Sequence, residues 1–163
     1  MMVETSSSYR QVESVWDYPR PPRLEPTPRR LEVYFGDTCI AATQRGLRVL
    51  ETGHPPVYYF PPEDVHREFL IPSPRRSLCE WKGIAVYYHV CVGGALAENA
   101  VWSYPDPTPA FRALANYLAF YPQKMTRCLV DGEVVRPQPG HFYGGWITAE
   151  IRGPFKGEAG VQG

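Results

Sequence analysis

At 163 residues the chain suits one domain and is short for two, and a domain of that length buries roughly 70% of its unfolded surface, so its core needs no metal or disulfide. Seventeen basic residues balance seventeen acidic ones and the pI is about 6.9, which excludes a global field that draws nucleic acid or anionic membrane. Apolar residues at 44% and a mean hydropathy of −0.33 fit a soluble globular chain, and 18 prolines with 11 tyrosines favour short strands over a helix bundle.

Residues 1–29 read as a proline-rich arm. Pro19, Pro21, Pro22, Pro26 and Pro28 favour an extended course. Val15, Trp16 and Tyr18 are costly to leave in water, so the arm is expected to pack across the domain; the alternative is a loose tail carrying one stray tryptophan. The domain proper is expected over 30–152. Leu31-Glu-Val-Tyr-Phe alternates with period 2, Gly36-Asp37 turns, and Thr38-Cys-Ile-Ala-Ala-Thr returns as a hairpin. Leu47 to Glu51 and Val57 to Phe60 read as strands around the break at Gly53–Pro56. Pro61-Pro-Glu-Asp-Val opens a brief helical turn. Ser77 to Trp81 and Ile84 to Val92 read as strands meeting at Lys82-Gly83, and Val101 to Tyr104 as another.

Asp106-Pro-Thr-Pro predicts the start of one α-helix. Thr108 is placed to cap, Pro109 fits the first helical position, and Phe111, Leu114, Ala115 and Leu118 share a face. Met125 to Val130 and Glu133 to Arg136 flank Asp131-Gly132, a two-residue hairpin signal. Gly145 to Ile151 is a last strand, and 153–163 form a glycine-rich tail. The expected fold is mainly β: about eight short strands and one helix in a compact, sandwich-like body.

Several function classes lack their motifs. The longest weakly apolar stretch, residues 83–97, contains His89 and is too short to span a bilayer. The polar first ten residues lack the apolar middle of a secretory signal, so a cytoplasmic protein without membrane partners is expected. Cys39, Cys79, Cys91 and Cys128 form no CxxC pair, which argues against a zinc ribbon and for reduced, buried thiols. Neither Gly-x-Ser-x-Gly nor HExxH occurs. The basic residues are spread out, so no nucleic-acid partner is expected.

A set of segments in order resembles one family. These are Glu51-Thr-Gly-His-Pro-Pro-Val-Tyr-Tyr-Phe-Pro-Pro-Glu-Asp-Val, Cys79-Glu-Trp-Lys-Gly-Ile-Ala-Val-Tyr-Tyr, Asn99-Ala-Val-Trp-Ser-Tyr-Pro-Asp-Pro, Ala119-Phe-Tyr, Val130-Asp-Gly-Glu-Val-Val and Gly144-Gly-Trp-Ile-Thr. Together they resemble the domain-of-unknown-function family 427, sometimes tagged nucleotidyltransferase-like. The Val15-Trp-Asp-Tyr-Pro arm and Gly153-Pro-Phe-Lys-Gly ending are similar to the version common in cyanobacteria. The resemblance implies a fold similar to the Mss4-like or β-tent architecture. The zinc of that wider group does not carry over without the CxxC pairs, and no cofactor is expected. Nor do the residues support the tag, since nucleotide transfer needs a phosphate loop or clustered carboxylates for Mg²⁺, and no Asp-x-Asp pair occurs.

The candidate chemistry centres on lysine. There are three lysines against fourteen arginines, and two of them, Lys82 and Lys156, precede glycine. A partly desolvated Lys82 beside Trp81 suits anion contact, a base or an amine nucleophile; alternatively its stem simply covers aromatic surface. Glu51 and His54, across a turn, could share a proton, or Glu51 could pair with an arginine. Cys79 is a nucleophile only if a histidine reaches it, and otherwise a small hydrophobe. The candidate catalytic residues are therefore Lys82, Glu51, His54 and Cys79. Among the strand aromatics, alternate side chains face opposite ways and half could line a hollow. Glu51, Tyr59, Lys82, Trp102 and Tyr104 are the expected lining of a pocket for a small polar or anionic molecule. A second reading is an interaction or dimerisation module working through the arm and tail. A third, nucleotide transfer, requires Mg²⁺-dependent triphosphate binding.

Overall fold

The computed structural model describes residues 11–161, so the polar start of the arm and the last two residues of the tail lie outside the described part. Fifteen strands run among these residues. The arm carries β1 (Glu13–Ser14) and β2 (Arg23–Thr27). Then come β3 (Leu31–Phe35), β4 (Thr38–Thr43), β5 (Gly46–Leu50), β6 (Val57–Tyr59) and the long meander β7 (Leu70–Cys79), β8 (Gly83–Val92) and β9 (Ala95–Ser103). The remainder are β10 (Leu118–Phe120), β11 (Arg127–Val130), β12 (Glu133–Val134), β13 (Arg136–Pro137), β14 (Trp146–Ile147) and β15 (Ile151–Arg152). The protein is mainly β, with more strands than the eight expected, several of them short: Glu133 to Arg136 divides between β12 and β13, and the expected last strand, Gly145 to Ile151, is broken by a turn into β14 and β15. The additions are short or lie in proline-rich segments, where period-2 alternation has too few residues to register.

Two four-stranded sheets, β10-β9-β8-β7 and β12-β11-β3-β4, and a three-stranded sheet, β2-β5-β6, make up the body. A bridge between Phe60 and Leu118 joins the edge of β6 to β10. The β11–β12 turn places Asp131 at φ 49° and Gly132 at φ 83°, the doubly positive pair that a type I′ hairpin requires.

Strands near this junction have a core on each side. Tyr58, Phe60, Val101, Leu118 and Phe120 enter one cluster with Trp146 and Leu31. Their neighbours Tyr59, Trp102 and Ala119 enter a second with Val49, Tyr87 and Tyr104. Because successive side chains in a strand alternate faces, the tyrosine doublets divide between the cores. A third cluster of Val15, Tyr18, Leu50, Ile147, Ile151 and Phe155 lies between arm and tail.

The predicted α-helix is a six-residue 3-10 segment, Pro109–Leu114, with Pro109 at its start and Phe111 and Leu114 buried. Two contacts cut it short. Leu118 to Phe120 pair with Ser103 to Val101 of β9, so the ladder takes residues that helical periodicity would claim. The Thr108 hydroxyl makes no cap and instead donates to the Trp81 carbonyl at 2.6 Å. The cysteines are free, but only Cys128 is buried, and Cys39, Cys79 and Cys91 are half-buried. Each of these three lies near a turn or on a strand face that the cores do not close. No helix among the described residues is long and apolar enough to cross a membrane.

Arm and body are joined by charge as well as packing. β2 pairs antiparallel with β5 from Arg23↔Leu50 to Thr27↔Gly46, and β1 pairs in parallel with β15. The buried Arg48 guanidinium reaches both Glu13 oxygens at 3.0 and 2.9 Å and Glu25 at 2.7 Å. Tyr18 donates its hydroxyl to Glu13 at 2.6 Å. Among the described residues, removing the cation leaves Glu13 with only the Tyr18 hydroxyl and Glu25 with only Arg23 as direct partners, so Arg48→Ala should lower the unfolding free energy by about 2–3 kcal/mol, below the fully buried range because both acids keep some water. Urea titration with an unchanged slope would confirm it, and a loss under about 0.5 kcal/mol would mean that the pairing adds little.

Candidate functional site

One cleft of about 430 Å³ opens where three segments meet: the end of β5 with the loop into β6, the β7–β8 turn, and the 138–144 loop. Its wall includes Glu51, His54, Tyr59, Cys79, Trp81, Lys82, Gln138 and Tyr143. All four candidate catalytic residues are thus gathered at one cleft, together with Tyr59 of the expected lining. Trp102 and Tyr104 do not reach it. They lie behind the wall in the second core, at 7% and 6% exposure. The Trp102 indole N–H donates to the Tyr59 hydroxyl at 3.3 Å.

The β7–β8 turn holds Lys82 in place. Gly83 adopts φ +106°, and Thr108 fastens the turn through its hydroxyl to Trp81 and its backbone N–H to the Lys82 carbonyl at 3.1 Å. The Lys82 side chain is 9% exposed. Its ammonium donates to Cys79 Sγ at 3.3 Å and lies 5.8 Å from the ring centres of both Tyr104 and Phe111. Burial pushes the Tyr104 and Tyr59 hydroxyls well above the ordinary phenol range, so neither ionises near neutrality.

Glu51 and His54 are linked only through the backbone, the His54 N–H donating to the Glu51 carbonyl at 3.0 Å. The Glu51 carboxylate faces the Arg20 guanidinium at 3.8 Å, and His54 Nδ1 meets the Gln138 amide nitrogen at 3.0 Å. Cys79 Sγ accepts from Lys82, and among the described residues no histidine hydrogen-bonds to the sulfur. A shared Glu51–His54 proton and a Cys–His pair therefore lack the direct contacts they need.

No motif marks Gln138 and Tyr143, which line the cleft, or places Lys156, which packs against Gly53. Gln138 is 2% exposed and sits on the cleft floor. The Tyr143 ring packs edge-on to His54 with centroids 4.9 Å apart. The Lys156 side chain, 8% exposed, runs under Gly53, where an added Cβ would lie 2.8 Å from Lys156 Cε. Gly144 is under the same pressure, because a Cβ there would approach Trp102 to 2.3 Å. The only sequence signal for any of these is the second Lys-Gly pair, and it fixes no location.

The cleft lining carries two carboxylates, Glu51 and the exposed Glu80, beside Lys82 and His54. Burial first, then the charges of Lys156, Arg20 and Lys82, push His54 down to about 4. Burial and Arg20 likewise lower Lys156, with Glu51 opposing them. Among the described residues no three His, Cys, Asp or Glu side chains are grouped to hold a metal ion.

A mainly β domain with one lysine-bearing aromatic cleft is the class that fold and site define. More specifically, the profile of a domain of unknown function (DUF427) matches residues 23–131, more than half of the chain, and the protein belongs to that family. No curated protein matches it. The matched span includes Glu51, His54, Tyr59, Cys79 and Lys82, whereas Gln138, Tyr143 and Lys156 lie beyond it.

His54 makes the site sensitive to acid. Its folded value of about 4 lies below the unfolded 6.5, so between those limits the unfolded chain binds the extra proton. The neutral ring's stabilisation is complete above about pH 6.5 and is lost as pH falls toward 4. With a discount for solvent at the cleft mouth, the effect is roughly 1–2 kcal/mol. Urea unfolding at several pH values should show this slope in the wild type and a flatter one in His54→Gln. Parallel curves would refute it.

Proposed function

We propose that the cleft binds a small ligand carrying an oxyanion, with its negative end on the Lys82 ammonium and the rest against Trp81, Tyr143 and Val57. One observation carries this reading. Lys82 is buried in the cleft wall, yet among the described residues its ammonium has a sulfur for a partner and no carboxylate. An ammonium has three donors and loses much hydration on burial, so a sulfur contact and two ring faces compensate it poorly. An oxyanion supplies both the charge and the acceptors.

The neighbouring charges support the same ligand. Arg20 is already engaged by Glu51, and the charge of Lys156, whose stem packs against Gly53, adds to the positive field at His54. The volume of about 430 Å³ falls within the range of small-molecule sites. The interaction reading is less well supplied, because Val15 and Tyr18 of the arm are buried in the molecule's own third core.

The test is a thermal-shift screen of phosphate, sulfate and small carboxylates with the wild type and Lys82→Met, which keeps an apolar stem over Tyr104 and Phe111. Any anion that binds should stabilise the wild type by about 2.7 kcal/mol at a hundredfold excess over its Kd, and should leave the variant unshifted. Equal shifts in both proteins, or none in either, would reject Lys82 as the anchor.

A further inference from the structure

The geometry points to Gln138 as the positioning residue that holds His54 as a neutral Nε2–H donor, so that the cleft offers an N–H as well as the Lys82 ammonium to one oxyanion. This rests on the ligand class proposed above and adds to it a second donor and the residue that sets that donor.

The argument begins with two backbone groups whose roles are fixed. The Gly145 N–H can only donate, and it meets Gln138 Oε1 at 3.2 Å. The Lys156 carbonyl can only accept, and it meets Gln138 Nε2 at 2.9 Å. Together they allow one orientation of the amide, and a flipped amide would face like against like at both contacts. The remaining hydrogen on Gln138 Nε2 therefore points at His54 Nδ1, 3.0 Å away. That nitrogen must accept, so in the neutral ring the proton sits on Nε2. Protonating Nδ1 would set N–H against N–H while Lys156, Arg20 and Lys82 already oppose positive charge on the ring.

His54 Nε2 has no protein partner among the described residues and is not a sealed, unsatisfied atom. His54 itself lines the cleft. The group left for a ligand is thus an uncharged N–H donor that cannot accept. The Lys82 ammonium, on the same cleft, also only donates. This pair fits an ionised carboxylate or phosphate, whose oxygens only accept, and opposes amines and amides that present N–H. Gln138 could be replaced by no shorter or apolar side chain without leaving the Gly145 N–H, the Lys156 carbonyl and His54 Nδ1 unpaired together.

The tautomer can be read directly in the full chain by long-range ¹H–¹⁵N correlation of histidine-labelled protein, with His54 assigned by its disappearance in His54→Gln. The expected result is a bare Nδ1 and a protonated Nε2 throughout pH 5.5–8. An Nδ1–H tautomer or an imidazolium in that range overturns the lock, even if Lys82→Met abolishes anion binding. Phosphate and acetate are then titrated separately to distinguish the two anions. The Nε2 proton should shift downfield with whichever binds, and the tautomer should not change. A bare Nδ1 with no response at Nε2 to an anion that Lys82 does bind would overturn the second-donor role. Gln138→Glu, which offers Nδ1 an acceptor, should invert the tautomer, raise the pKa of His54 and weaken that anion by about tenfold or more. If this variant does not fold, the wild-type tautomer remains decisive.

Discussion

A strand covered on both faces has to feed two cores from alternate residues, and the junction of β6 with β10 imposes that condition on the whole molecule. Tyr58 and Phe60 pack with Trp146 on one side, while Tyr59 and Trp102 pack on the other. A register slip of one residue would exchange the clusters and set side chains of different size into each. The cleft depends on this register. Tyr59 reaches its wall only because Trp102 fills the space behind, and the missing Cβ of Gly144 makes room for the Trp102 ring.

On that frame the charges are distributed unevenly. At the arm, Arg48 is matched by two carboxylates at hydrogen-bonding distance, which is an arrangement suited to holding segments together. At the cleft, Lys82 is buried with a sulfur for its hydrogen-bond partner, Glu51 is drawn to Arg20, and Glu80 stands exposed at the wall. Arg48 and Lys82 are both buried, yet among the described residues only Arg48 of the two has carboxylates in direct contact. The contrast between two buried cationic centres of one protein is a stronger argument for an external anion than the burial of one lysine taken alone.

The strand pattern was legible because alternation, glycine turns and the Asp131-Gly132 pair act locally. The helix was misjudged in kind because Thr108 and Leu118 answer to distant partners, Trp81 and Ser103, and no local preference carries that information. At the site, Glu51, His54, Cys79 and Lys82 could be singled out because each is an uncommon chemical type beside a turn. Trp102 and Tyr104 were drawn into the expected lining by the same alternation that places them in the core instead. Gln138 offered nothing to read. A glutamine between two prolines in a loop looks like solvated surface until the Gly145 and Lys156 backbones close around its amide.

That closure bears on how the site is assembled along the chain. The span matched by the family profile ends at residue 131, and it supplies Lys82, His54 and the Tyr59 and Trp81 part of the wall. The groups that fix the histidine's hydrogen bonding come afterwards, from the 138–145 loop and from Lys156, whose backbone N–H also pairs with the Gly53 carbonyl at 2.9 Å. The tail thus grips the His54 turn from below by backbone and from the side through Gln138. A chain ending near residue 131 would retain Glu51, His54, Cys79 and Lys82 and lose the contacts that orient His54. In this fold, possession of the reactive residues and organisation of the site are separate properties, encoded in different stretches of sequence.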